Sequence, residues 1–166
     1  QAGDPSRLEA AFRRWRDCVV EKGGTTYLGT FWDTPLTEPQ FLLELITIVT
    51  TGAILHDDGR LLQAGFTRET REALARVLKL CAGTEALNGK RRVLQDADGC
   101  YVFVRSGKQA DRDAVVVLNY TDAEKPYDVP VEKGRTYMDA FAKDAAPQTE
   151  RLQGVLPPYG YAIYLS

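Results

Sequence analysis

Apolar and polar residues follow two different patterns along this chain of 166 residues, and the change falls near Gly89. Before Gly89, apolar residues recur at helical spacing in three stretches, which are separated by short runs rich in β-forming residues. After Gly89, short apolar runs alternate with turns of Gly, Pro and Asp, a pattern typical of β-strands. The sequence therefore predicts two packing units, residues 1–88 and residues 89–166.

The first unit is predicted to alternate helices with short strands. The first helix begins after Asp4, a residue that can cap it, and ends at Gly23. A strand is expected over residues 25–31, where Thr, Tyr and Phe are frequent. A second strand over 53–56 and a third helix over 67–81 complete the order helix, strand, helix, strand, helix.

The second helix of this unit is apolar on nearly all sides. It begins at Thr37, with Gln40 three residues later at the spacing of a capping box, and it ends at Gly52. Residues 41–49 carry apolar side chains around most of the helix, so the helix needs to be buried against other structure. Because two strands cannot close a barrel, we expect this unit to be incomplete and the helix to leave an exposed apolar patch.

The second unit is predicted to be an antiparallel β-sandwich, because its strand candidates are short and closely spaced. The candidates are residues 91–95, 101–105, 114–120, 129–131, 136–141 and 161–165. The residues expected inside the sandwich are Val115, Val117, Tyr137 and Ile163. The predicted fold class is thus α+β: a partial (β/α) barrel end of helices with two short strands, followed by an antiparallel β-sandwich.

Charge and composition narrow the chemistry that the chain can carry. The net charge of −2 gives no overall electrostatic footprint for nucleic acid or an anionic membrane. No signal segment is visible and no apolar run reaches the roughly 18–20 residues of a membrane helix, so we expect a soluble protein of unknown location. The only histidine is His56, and Cys18, Cys81 and Cys100 are scattered. We therefore expect no metal site, no cofactor, no Ser-His-Asp triad and no structural disulfide, which leaves carboxylates as the catalytic groups.

Several segments of the second unit resemble the C-terminal sandwich of α-amylase-type glycoside hydrolases. They are Val-Val-Val-Leu-Asn-Tyr-Thr-Asp at 115–122, Thr-Tyr-Met-Asp-Ala-Phe at 136–141 and Val-Leu-Pro-Pro-Tyr-Gly-Tyr-Ala-Ile-Tyr at 155–164, which resembles the closing strand. Glu-Ala-Leu-Asn-Gly at 85–89 is similar to the junction after the last barrel helix. The resemblance implies that this chain contains the end of the barrel and the sandwich, and that the nucleophile and the acid lie on earlier barrel strands.

The first unit resembles the same family less closely. Phe-Trp-Asp-Thr-Pro at 31–35 is similar to the barrel strand that delivers the family's third carboxylate, where the family usually has Asn-His-Asp. Residues 50–59 resemble the last barrel strand and its loop, without the family's Pro-Gly-Ile-Pro. These departures leave an α-galactosidase-like or β-galactosidase-like enzyme as an alternative.

The candidate site lies where the two predicted strands end, because catalytic residues gather at the C-terminal ends of barrel strands. Asp33 is the candidate catalytic carboxylate, since it could stabilise an oxocarbenium-like transition state. Trp32 is a candidate for stacking on a sugar ring, and His56 and Asp57 are candidates for hydrogen bonds to sugar hydroxyls. The alternatives are turn residues at the two aspartates, a core position for the tryptophan and a structural histidine.

The predicted function is that of the C-terminal portion of a glycoside hydrolase or transglycosidase acting on oligo- or polysaccharides, with the sandwich stabilising the barrel. Glycoside hydrolysis takes two carboxylates and Asp33 supplies one, so the chain alone is expected to be inactive. The expected partners are carbohydrate and either an N-terminal catalytic barrel segment or a second copy through self-association, with no nucleic acid and no membrane. The alternative is a non-catalytic carbohydrate-binding or packing module. A sugar-binding platform is conceivable on the tyrosines at 101, 120, 137, 159, 161 and 164, but aromatic residues in strands are more often core residues or cross-strand pairs, which is what we expect here.

Overall fold

The structure is a computed structural model that describes residues 27–29, 36–52, 54–56, 65–108, 112–142 and 144–166. The predicted first helix lies outside the described residues. The chain divides into two compact units, Gln1–Gly83 and Thr84–Ser166. The fold of the described residues is α+β, as predicted, with a parallel strand pair in the first unit and antiparallel sheets in the second. The assignment of separate domains at residues 88 and 89 stays a prediction.

The described part of the first unit alternates two helices with two short strands. Its elements are β1 (Tyr27–Gly29), α1 (Glu38–Thr51), β2 (Ile54–His56) and α2 (Arg68–Gly83). β1 and β2 pair in parallel, and Gly29 lies opposite His56. The chain between them contains α1, because parallel neighbours need a crossover connection. The strand predicted over 25–31 is thus confirmed at its centre, and the helix predicted over 67–81 is confirmed with shifted ends.

Helix α1 begins and ends as its sequence predicts. The Gln40 side chain accepts a hydrogen bond from the Thr37 backbone N–H at 2.9 Å, the bond that capping-box spacing favours. Gly52 follows the last turn at φ 85°, a left-handed conformation that suits glycine. Residues 43–48 are all at most 1% exposed. The expectation that this helix leaves an exposed apolar patch is therefore wrong, because α1 is buried within the chain itself.

Helix α1 also buries a polar stripe. Gln40, Glu44, Thr47 and Thr51 follow one another at helical spacing, and each is at most 7% exposed. The Thr47 hydroxyl donates to the Leu43 carbonyl oxygen at 2.8 Å, and the Thr51 hydroxyl donates to the Thr47 carbonyl oxygen at 2.6 Å. Bonds to a carbonyl one turn earlier satisfy a hydroxyl inside the helix, which allows threonine to be buried in α1.

Helix α2 is tied to the start of α1 and is otherwise largely exposed. Glu38 Oε1 accepts hydrogen bonds from the backbone N–H of Thr67 at 2.8 Å and from its hydroxyl at 2.6 Å. These bonds hold the pKa of the Glu38 carboxyl below its ordinary value. Val77 is the fully buried residue of α2, whereas its neighbour Leu78 is 42% exposed.

The second unit is built from two antiparallel sheets, as the strand pattern predicts. A 3₁₀ helix, Glu85–Asn88, leads into β3 (Lys90–Ala97), β4 (Cys100–Ser106), β5 (Asp113–Asn119), β6 (Lys125–Pro130), β7 (Thr136–Asp139), β8 (Gln148–Thr149), β9 (Arg151–Leu156) and β10 (Tyr161–Leu165). The larger sheet has the order β3-β4-β5-β10-β7-β8, and β6 pairs with β9 in a separate ribbon. At the junction, a Cβ on Gly89 would lie 1.7 Å from the Ser106 carbonyl oxygen, so only glycine fits there.

The core of the second unit lies between these sheets. Its buried cluster includes Val102 and Val104 of β4, Val115 and Val117 of β5, and Tyr137 of β7, facing Tyr127, Val129, Leu152 and Leu156 of the ribbon. The residues predicted to be inside are all at most 1% exposed: Val115, Val117, Tyr137 and Ile163. Ile163 lies between two residues of the cluster, Ala162 and Tyr164, so its side chain is buried on the opposite face of the sheet.

The later strands differ from the prediction in their bounds. The run 129–131 is the end of a longer strand, Lys125–Pro130, and Tyr120 lies just beyond β5. The strand predicted over 161–165 is confirmed as β10, and a turn in which the Gly160 N–H donates to the Pro157 carbonyl oxygen separates it from β9. β8 and β9 were not predicted, since β8 has only two residues, both polar, and the apolar alternation of β9 is interrupted at Gly154.

Two further observations concern the cysteines and the lengths of the helices. Cys81 and Cys100 carry free thiols, and burial raises the pKa of the Cys100 thiol, while Cys18 lies outside the described residues. Neither α1 nor α2, the helices in the part of the chain that the structure describes, is long and apolar enough to cross a membrane.

Candidate functional site

The C-terminal ends of β1 and β2 lie side by side at the same end of the strand pair. The two strands run in parallel and their last residues, Gly29 and His56, are opposite each other. The chain therefore leaves both strands on the same side. In the sequence, Asp57 follows β2 directly and Asp33 comes four positions after β1.

The structure tests the predicted site residues only through this backbone register. It places His56 at the last position of β2 and does not describe its side chain. Trp32, Asp33 and Asp57 lie outside the described residues. Parallel strands that end together are the arrangement on which barrel enzymes build their sites. The catalytic role of Asp33 and the sugar-binding roles of the other three residues stay predictions.

A buried asparagine organises the loops at one end of the sandwich. Asn119, the last residue of β5, has no exposed surface. Its Nδ2 donates hydrogen bonds to the carbonyl oxygens of Ala123 and Pro157, both at 2.8 Å. Its Oδ1 accepts bonds from the Thr121 N–H at 3.0 Å and the Thr121 hydroxyl at 2.8 Å. The Asn-Tyr-Thr-Asp motif that carries the family resemblance therefore has a structural role, which its sequence did not reveal.

Most of the strand tyrosines do not form a surface platform. Tyr101, Tyr120, Tyr137 and Tyr164 are each at most 5% exposed. Ring contacts between Tyr101 and Tyr120, with centroids 6.5 Å apart, belong to this packing. The expectation that strand tyrosines are core residues rather than a sugar-binding platform is therefore confirmed for these four residues.

Four titratable side chains inside the sandwich bond to one another in two pairs, an arrangement that joins parts of the fold rather than one that performs catalysis. The hydroxyls of Tyr127 and Tyr164 share a hydrogen bond in the core. Burial raises the pKa of Tyr127, and its bond to Tyr164 raises it further. Asp113, which is 5% exposed, forms an ion pair with Arg135. Burial lowers the pKa of Arg135, but the charge and the hydrogen bond of Asp113, together with the charges of Glu132 and Tyr137, outweigh burial and leave that pKa raised. One carboxylate paired with one guanidinium does not provide the two carboxylates that glycoside hydrolysis takes.

No protein-family model and no curated protein sequence matches the chain. Solved structures match its fold. The α-amylase of Geobacillus thermoleovorans, solved with acarbose, is 17% identical with a TM-score of 0.64, and the match covers 77% of this chain and 33% of that chain. The Anoxybacillus α-amylase is 15% identical with a TM-score of 0.63, covering 76% and 32%. α-Galactosidase I from Mortierella vinacea is 10% identical with a TM-score of 0.58, covering 78% and 36%.

These likenesses concern the fold. The chain spans about a third of the length of each of these proteins. The structures of AmyP with maltose and of an AmyP variant with maltotriose also match over 77% of the chain, at 11% and 12% identity. The resemblance to α-amylase-type glycoside hydrolases is thus confirmed at the level of the fold, which the α-galactosidase shares.

Proposed function

We propose that this chain is the C-terminal portion of a glycoside hydrolase or transglycosidase that acts on oligo- or polysaccharides. The observation that carries the proposal is the parallel pair β1–β2 in a chain whose fold matches α-amylases and an α-galactosidase. Parallel strands occur almost only in larger sheets whose two faces are covered by helices. Two strands of three residues fit such a sheet if further barrel strands come from outside the described residues. The sandwich then stabilises the end of that barrel.

In this proposal the site lies beyond the common C-terminal edge of β1 and β2. Asp33 supplies a carboxylate that stabilises the positive charge developing at the anomeric carbon, and Trp32 stacks on the sugar ring. His56 and Asp57 hydrogen-bond sugar hydroxyls at the same rim. The nucleophile and the general acid come from barrel strands outside this chain, because the reaction takes two carboxylates on opposite sides of the bond.

The similar structures suggest two substrate classes. One α-amylase of this fold was solved with acarbose, and AmyP was solved with maltose and maltotriose, which favours an α-linked glucan. The likeness to α-galactosidase I favours a galactoside as a second candidate. The two classes are distinguished by which sugar the complete protein releases.

The test joins this chain to the coding sequence upstream of Gln1 and assays a panel of α- and β-linked glucosides and galactosides. We expect turnover by the joined protein and a loss of about 10²–10³-fold in kcat with Asp33→Asn, because one source of transition-state charge stabilisation is removed. Trp32→Ala should instead raise KM more than it lowers kcat, since stacking holds substrate and transition state alike.

The matched control is Asp122→Asn, since Asp122 is an exposed aspartate in the loop after β5. It should leave kcat and KM within about twofold of the unmodified protein. Full activity of the Asp33→Asn protein, or equal losses in both variants, would show that Asp33 is a turn residue. A joined protein that binds a sugar of the panel without cleaving any would support a non-catalytic module instead.

A further inference from the structure

Strand β3 forms one edge of the larger sheet. It pairs with β4, and no other described strand pairs with it. The unpaired backbone N–H and C=O groups of such an edge can accept another strand. Several of its side chains are exposed, and Val93 is an apolar example at 40% exposure. This edge is therefore a surface at which a further strand could add.

Charge is distributed unevenly along β3. Its first three residues, Lys90, Arg91 and Arg92, are basic, and Asp96 lies near its end. A second copy of the same strand, running antiparallel, would lay its acidic end beside this basic end. The edge is thus complementary in charge to itself, which favours a symmetric pair of copies. Parallel addition of a copy would instead place the basic residues side by side.

A β-bulge in β3 decides which residues could face each other in such a pair. The register to β4 shifts between Val93 and Gln95, so Leu94 is an extra residue. Arg91 is opposite Arg105, and Asp96 is opposite Tyr101. Because Tyr101 and Arg105 are four positions apart in β4, they lie on one face of the sheet, and so do Arg91 and Asp96. Without the bulge, residues five positions apart would point to opposite faces.

The two-fold axis of an antiparallel pair is perpendicular to the sheet, so each residue faces a residue on its own face. An axis centred between Val93 and Leu94 satisfies this condition for residues 90–92 and 95–97, and the exception is the central pair, because Leu94 packs against the core and Val93 lies on the other face. It pairs Arg91 of each copy with Asp96 of the other, and Arg92 with Gln95. The bulge thus selects the register in which the charges match.

The surroundings of Arg91 favour a new acidic neighbour. Arg91 lies opposite Arg105 on the same face, and like charges directly opposite each other in a sheet are destabilising. A carboxylate supplied at this position would accept a charge-assisted hydrogen bond from the guanidinium group.

We infer that β3 is a homodimerisation edge, at which two copies of the chain pair antiparallel with Arg91 of each copy beside Asp96 of the other. The inference does not depend on the function proposed above. One strand pair is small beside the roughly 1,200–2,000 Å² that stable interfaces bury, so the dimer is weak and depends on protein concentration. The charge pairs make it weaken as salt is added.

The test measures the dimer dissociation constant of the full chain by sedimentation at low salt. Arg91→Glu places a glutamate beside Asp96 and should raise the constant about tenfold or more. The double variant Arg91→Asp with Asp96→Arg exchanges the two charges and should restore the constant to within about threefold. Lys133→Glu changes the net charge as Arg91→Glu does, at an exposed turn outside β3, and should change the constant by less than about twofold.

Amide hydrogen exchange of the unmodified chain gives a measurement that needs no variant. The outward-facing amides of residues 90–97 should exchange more slowly as protein concentration rises. Exchange in β3 that is independent of concentration would overturn the inference, even if the chain associates through another surface. Equal weakening by Arg91→Glu and Lys133→Glu, or no restoration by the exchanged pair, would overturn it as well.

Discussion

Replacing Asn119 with alanine should destabilise the chain by about 2–4 kcal/mol, because one side chain holds three backbone segments. Asn119 is fully buried and makes four hydrogen bonds, to Thr121, Ala123 and Pro157. Each bond contributes about 0.5–1.5 kcal/mol, which gives about 2–6 kcal/mol. The expected loss is in the lower part of this range, since the partner groups of the loop lie near the surface and can bond water after the truncation.

The assay is urea unfolding, with the free energy obtained from the midpoint and the slope. Asn88→Ala is the matched control, since Nδ2 of this exposed residue donates to the Thr84 carbonyl oxygen at 3.3 Å. It should cost under about 1 kcal/mol. Thr121→Val completes a double-mutant cycle with Asn119→Ala, with an expected coupling of about 0.5–3 kcal/mol. Equal costs for the two asparagines, or no coupling, would refute the reasoning.

Three other predictions test the core, the helix junction and the activity. Gly154→Ala should lower the free energy of unfolding by about 1–3 kcal/mol, because the new Cβ would lie 2.4 Å from the Tyr127 hydroxyl oxygen. The control is Gly83→Ala, whose Cβ meets no atom within 4 Å. Equal losses in the two variants would contradict this prediction. The bonds from Thr67 lower the pKa of Glu38 below 4.5, so the stability they contribute is complete above pH 4.5 and lost as pH falls through the lowered pKa. Urea unfolding as a function of pH should show that the stability difference between the unmodified chain and Glu38→Gln shrinks on acidification, and a constant difference would argue against it. The isolated chain should hydrolyse no glucoside or galactoside above background, because its predicted site offers one carboxylate, and turnover by the monodisperse chain would contradict this.

Features set by local sequence were predicted, and features set by packing were not. The capping residues Thr37 and Gln40 fix the start of α1, since they act within one turn. β5 was recognisable because a continuous apolar run suits a strand buried on both faces. By contrast, the burial of α1 depends on residues distant in sequence. The hydrophobic pattern alone therefore suggested an exposed patch where the folded chain has none.

Strand β9 shows how packing conceals a strand from sequence reasoning. Leu152 and Leu156 point into the core, and Gly154 occupies the inward position between them. The space above Gly154 is filled by the Tyr127 ring from the paired strand β6, so an apolar side chain is missing where the alternation requires one. The bulge at Leu94 interrupts the alternation of β3 in a similar way. For the candidate site, the order of strands and helices indicated the common edge, but which side chains meet there depends on the loops beyond it.

The burial of the larger sheet bears on the choice between a packing role and a sugar-binding role for the sandwich. An antiparallel sheet commonly has one face in contact with water, and a flat sugar-binding platform needs such a face. β4 and β5 have none, because Phe103 and Val116 are unexposed on the face opposite the core. Strands buried on both sides stabilise their surroundings and present no surface to a ligand. Sugar contacts by this unit would therefore have to come from its loops or from its sheet edges, and the central strands serve to hold the fold together.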